Sequence, residues 1–155
     1  FFDLEDHGSP YPGRGGADEI LCQDVLEHVG DLVAAMTTLQ GMLNPLGVLM
    51  IRVPHFSSRN NFTDPTHKRM FGVRTFACFV PNHRGRDHYL PVLFGWQDRV
   101  RITFNHRLPW NWLVELVINA APGLQTLYEE TGLRALFPAE NIEVTLVNTN
   151  TTGVE

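Results

Sequence analysis

Leu32, Met36, Leu39 and Leu43 recur at helical spacing, which predicts one amphipathic helix over residues 31–43. Asp31 follows Gly30 and suits the cap position, because its carboxylate can accept from a free backbone N–H. Asn44-Pro45 ends the helix, since proline disfavours helical backbone in the residue before it. Strand-like runs flank the helix, one over residues 17–22 and one over Gly47-Val48-Leu49-Met50-Ile51-Arg52-Val53. The second run is nearly continuously apolar, the pattern of a strand covered on both faces in a parallel sheet. Strand, helix and strand in this order make a βαβ unit with a right-handed crossover.

The rest of the pattern is coarser. Residues 1–16 are a strand end and a loop rich in turn formers. A polar loop follows Pro54, and Val73 to Phe79 is a short helix. Pro81, Gly85, Pro91 and Gly95 mark a second loop over residues 80–98. Val100, Ile102 and Phe104 alternate with Arg101, Thr103 and Asn105, as in a half-buried strand. Two helices follow, Trp112 to Ala120 and Leu124 to Leu136, separated by Pro122-Gly123. Ile142, Val144 and Leu146 alternate with polar residues in a last strand. The aromatic residues Phe71, Phe76, Phe79, Trp96, Trp110 and Trp112 are expected in the core or in a lid. Residues 1–150 form one domain on this reading, residues 151–155 are a tail, and the chain frays from Asn148.

Composition narrows the function classes. Twelve Lys and Arg against seventeen Asp and Glu give a net charge of −5, so no general electrostatic pull toward nucleic acid is expected. No apolar run approaches the roughly 18 residues that span a bilayer. Cys22 and Cys78 have no metal-binding spacing and are expected to be buried thiols in a reducing, cytoplasmic setting. Phe1-Phe2-Asp3-Leu4 has neither an initiator Met nor a basic lead, so no signal peptide is expected and the domain is expected to be truncated.

Several blocks then fall in a telling order. They are Asp3-Leu4, Tyr11-Pro12, Ala17-Asp18-Glu19-Ile20, Val25-Leu26-Glu27-His28-Val29 and Leu43-Asn44-Pro45-Leu46-Gly47. Ile51-Arg52-Val53-Pro54-His55, Asp64-Pro65-Thr66-His67-Lys68-Arg69 and Leu136-Phe137-Pro138-Ala139-Glu140 follow. This set resembles the carboxyl-terminal half of a class I S-adenosylmethionine-dependent methyltransferase of the type 11-like group. The resemblance implies an α/β, Rossmann-like methyltransferase fold, present in part: the second half of the sheet, with an antiparallel last strand. It implies S-adenosylmethionine as cofactor and methyl transfer to a small-molecule or saccharide-type acceptor. Two departures stand out. Leu46 replaces a glycine of the usual L-K-P-G-G, and the glycine-rich loop that holds the methionine part and ribose has no counterpart. Gly13-Arg14-Gly15-Gly16 is in the wrong place and is a turn. That gap also leaves a second reading: a non-catalytic interaction module, or a truncated methyltransferase fragment, whose sheet is completed by a partner chain or in a swapped homodimer.

By the same resemblance, Asp3 accepts from the adenine amino group and Leu4 offers backbone groups and an apolar wall. Cys22, Gln23, Leu26 and His28 line the cofactor. His55 stands at the sheet mouth, where an imidazole suits proton removal from an acceptor; its alternative is a histidine satisfying loop backbone. Asp64 can orient His67 as a base, with Lys68 and Arg69 holding an anion; alternatively Asp64 to His67 is a capping turn. His55, Asp64, His67, His83 and His88 show no diagnostic metal spacing, so no metal is expected.

Overall fold

A computed structural model describes residues 16–81 and 91–149. Strand β1 (Ala17–Gln23) leads through helix α1 (Leu32–Met42) to strand β2 (Leu43–Pro54), which pairs parallel to β1. Asp31 caps α1 as expected, its Oδ1 accepting from Ala34 N at 3.0 Å. A short helix α2 (Asn60–Thr63) and a 3-10 turn (Phe76–Phe79) precede strand β3 (Trp96–Thr103). Helices α3 (Pro109–Ile118), α4 (Pro122–Glu130) and α5 (Leu133–Leu136) lead to the last strand, β4 (Asn141–Val147). The predicted second long helix is therefore two, broken at Thr131-Gly132.

The sheet order is β1-β2-β4-β3. β4 inserts antiparallel between β2 and β3, so β1, β2 and β3 all point the same way. Leu49, Ile51 and Val53 of β2 pair with Leu146, Val144 and Ile142 of β4, and all six are buried. This layer packs with Leu26, Val29, Ala35, Met36 and Leu39 on one side and with Phe71, Phe76, Phe79 and Phe94 further along. The alternate residues Leu21, Gln23, Met50, Arg52, Arg99, Arg101 and Thr145 line a shallow groove on the opposite face. The expectation that β2 is covered on both faces is thus corrected: among the described residues one face is core and the other is partly open.

Side chains close the β3 edge. Asn119 accepts from Ile102 N at 2.8 Å and donates to Ile102 O at 2.7 Å, while Gln125 donates to Val100 O at 2.8 Å. Buried Glu115 accepts from Phe104 N at 3.0 Å, His106 Nε2 at 2.8 Å and Arg101 at 2.5 Å. Burial alone would raise its carboxyl, but these donors hold it below the ordinary carboxylate value. Two expectations fail here. Trp96, Trp110 and Trp112 are exposed, because apolar composition does not by itself decide burial. Asn148 is not frayed: it is 2% exposed and donates to Leu43 O and Asn44 O at 3.2 and 3.1 Å.

Leu46, where the resembled pattern has glycine, has φ +65°, the left-handed region that L side chains avoid. Leu46 N nevertheless donates to Asn148 O at 2.7 Å, so the turn is held in place. Beside it, a Cβ on Gly47 would lie 2.9 Å from Asn44 O and 3.0 Å from Ala17 O, both backbone atoms that cannot yield cheaply. Left-handed backbone costs a non-glycine residue about 1–2 kcal/mol, and added glycine freedom in the unfolded chain costs about 0.4–1 kcal/mol. Leu46 is 67% exposed, so little burial is lost on its replacement. Leu46→Gly is therefore expected to stabilise the fold by about 0.5 kcal/mol. Gly47→Ala should destabilise it by about 1–3 kcal/mol. Urea unfolding of both variants checks the pair of signs.

Candidate functional site

Because β1 and β2 are parallel, their carboxyl ends meet, with Gln23 opposite Arg52. Open α/β sheets bind ligands at such ends. Gln23 is exposed there. Asp24 follows with φ +53°, a left-handed residue at the sheet mouth, and it pairs with the Arg52 guanidinium while Asp24 N donates to Arg52 O at 2.9 Å. The chain then turns inward. Leu26 and Glu27 are buried, at 0% and 1% exposure, and His28 is half-buried at the rim. Leu26 and Cys22 thus back the mouth from the core, whereas Gln23 faces out of it. Burial, then the nearby Glu27 charge, push the Cys22 thiol up to about 11, so it stays protonated at neutral pH.

A second loop docks on this one. Lys68 N donates to Glu27 O at 2.7 Å, and Arg69 donates to Val29 O at 3.1 Å and to Gly30 O. Arg69 therefore spends its guanidinium on backbone, and only Lys68 of the basic pair stands exposed. Asp64 Oδ1 accepts from Thr66 N at 2.9 Å and Thr66 Oγ1 at 2.6 Å. Those bonds, the hydroxyl first, hold the Asp64 carboxyl below its ordinary value. Thr66 Oγ1 donates its one hydrogen to Asp64, so at 2.8 Å it accepts from His28 Nδ1–H. His67 Nε2 lies 3.7 Å from Asp64 Oδ2, and its ring meets that of His28 edge-on at 4.7 Å. Asp64, His67 and His28 are thus brought together, and the turn and the cluster are one object.

His55 has different partners. It is fully buried. Ser57 N, which can only donate, reaches Nδ1 at 3.0 Å, so the ring proton sits on Nε2 and goes to Glu129 Oε1 at 3.1 Å. Ser57 Oγ lies 2.8 Å from Nδ1 and accepts from Ala139 N at 3.1 Å. Both ring nitrogens are engaged, the geometry of a histidine that ties loop backbone rather than one at an open mouth. Ser57 and Glu129 went unseen in the sequence; Glu129 lies 74 residues from His55, and no local spacing signals it. Asp3, Leu4, His83, His88 and the 151–155 tail lie outside the described residues.

His55→Ala is expected to cost about 2–4 kcal/mol of stability through a cavity and orphaned Ser57 and Glu129 groups. Urea unfolding checks this; unchanged stability would contradict the tying role.

No family model matches the chain, and no curated protein sequence matches it. Solved structures do. A SAM-dependent methyltransferase from Archaeoglobus fulgidus superposes with a TM-score of 0.52 at 16% identity, over 84% of this chain and 59% of its own. A protein assigned as a sarcosine dimethylglycine methyltransferase from Galdieria sulphuraria gives 0.52 at 15% identity, over 96% of this chain and 58% of its own. The chain spans under two thirds of the length of either structure. No described helix is long and apolar enough to cross a membrane. With the sheet order β1-β2-β4-β3 and its inserted antiparallel strand, the chain carries part of a class I S-adenosylmethionine-dependent methyltransferase-like fold.

Proposed function

We propose that the chain serves S-adenosylmethionine-dependent methyl transfer to a small-molecule or saccharide-type acceptor. The observation that carries this reading is the polar group at the carboxyl end of parallel β1, in a sheet of methyltransferase-like order. The donor set fits the cofactor: the exposed Gln23 amide both donates and accepts, as a zwitterionic amino acid requires. When bound, S-adenosylmethionine supplies an electrophilic methyl carbon. Gln23 and the rim at His28 would hold its amino-acid end, with Cys22 and Leu26 as the wall behind, and Asp3 and Leu4 would take the adenine. Asp64 and His67 stand on the acceptor side, where alignment of the incoming nucleophile is the main demand. His55 supports that side from behind by fixing the Ser57 loop. Reduced Cys22 and Cys78 suit a cytoplasmic setting.

β1 is the outer strand of the described sheet, so a partner chain or second copy pairing there would supply the opposite wall.

Isothermal titration with S-adenosylmethionine and S-adenosylhomocysteine tests the proposal. Saturable heat at one site per chain is expected, and Gln23→Ala should weaken binding about 5–10-fold, the worth of one hydrogen bond. No heat and no thermal shift with either ligand would overturn binding by this chain.

A further inference from the structure

Three donor groups converge behind the rim. One ligand atom each from Glu27, His28 and His67 lies within 4.8 Å of the other two. Glu27 is 1% exposed, and its Oε2 is buried with no hydrogen-bond partner. The His67 side chain is 8% exposed, and its Nδ1 is likewise buried and unpartnered. Buried polar atoms are normally satisfied, because each orphan costs about 1–3 kcal/mol. Two of the three clustered residues thus carry a buried orphan, and one shared ligand would satisfy both.

We propose that Glu27, His28 and His67 form a binding site for a divalent transition metal, with zinc the best fit to the donors. Two imidazoles and one carboxylate are a zinc donor set that leaves a fourth position open to water or an oxygen ligand. The protonation pattern suits it. His28 gives Nδ1–H to Thr66 Oγ1, which leaves the Nε2 lone pair free. Metal-bound histidines are usually oriented in this way by an outer acceptor on the other ring nitrogen. Asp64 reaches the His28 ring through Thr66, and its Oδ2 lies near His67 Nε2, at 3.7 Å, beyond hydrogen-bond distance. Bonds of about 2.0–2.1 Å in a tetrahedral site space the donors roughly 3.4 Å apart, so the cluster closes by up to about 1.4 Å on binding. The loop carrying His67 is already tied to the Glu27 block by Lys68 N at 2.7 Å, so the closure falls to side chains.

The test is titration of the chelator-stripped 155-residue chain with Co2+, followed by displacement with Zn2+, with no S-adenosyl ligand present. Its outcome is therefore independent of cofactor binding. One Co2+ per chain is expected, with the intense visible bands of a four- or five-coordinate ion that Zn2+ abolishes. His28→Ala and His67→Ala should each weaken Zn2+ binding at least about 100-fold, and Asp64→Asn about 10-fold. His106→Ala, a histidine that pairs with Glu115 instead, should leave it unchanged. Glu27→Gln should match the histidine variants; where circular dichroism shows that this buried change unfolds the chain, the two rim-side histidine variants decide. Weak, non-stoichiometric Co2+ uptake, or Zn2+ affinity unchanged in both histidine variants, would overturn the proposal.

Discussion

The polar cluster at the sheet mouth is held together because two loops far apart in sequence are bonded to each other, through one backbone–backbone bond and one guanidinium. Lys68 N to Glu27 O, and the Arg69 guanidinium to the carbonyls of Val29 and Gly30, fix where the chain goes after β1. Leu26 and Val29, buried beneath, anchor the first loop to the core. Without these bonds His28, Asp64 and His67 would lie on separate surface loops, and Glu27 would not be sealed in. The groups available for chemistry are therefore consequences of one docking contact.

That contact is framed by a sheet that solves its own edge problem unevenly. β4 pairs on both sides, and on the far side of β3 the amides of Asn119 and Gln125 take the backbone groups a further strand would have used. At the near end, Asn148 clamps the irregular start of β2. This clamp lets Leu46 persist in a conformation that glycine would adopt without strain.

Much of the fold was legible because it is local. Period and capping gave α1 and its Asp31 cap, and alternation gave β3 and β4. The ordered blocks from Asp3 to Glu140 pointed to the methyltransferase-like architecture. What was not legible depends on contacts across the sequence. His55 follows an apolar strand, which placed it at a mouth; only the Ser57 loop and Glu129 reveal that it is enclosed. Trp110 and Trp112 have the composition of core residues, yet they lie on the outer face of α3, because a helix buries one stripe and not its whole surface. Asp64-Pro65-Thr66-His67 offered a turn or a dyad; the turn is there, and its Thr66 hydroxyl, bonded to both Asp64 and His28, also ties it to the first loop. The buried state of Glu27 has no sequence signature at all, since it comes from a loop that returns much later in the chain.

The central claim is that the functional mouth lies at the carboxyl ends of β1 and β2, beneath the docked loops. Amide chemical-shift mapping by nuclear magnetic resonance with S-adenosylhomocysteine addresses it most directly. The account expects the largest shifts at Gln23 to His28, with smaller ones at Thr66 to Lys68 and little change on α3. Shifts confined to the exposed face of α3, or spread without focus over the sheet, would contradict it.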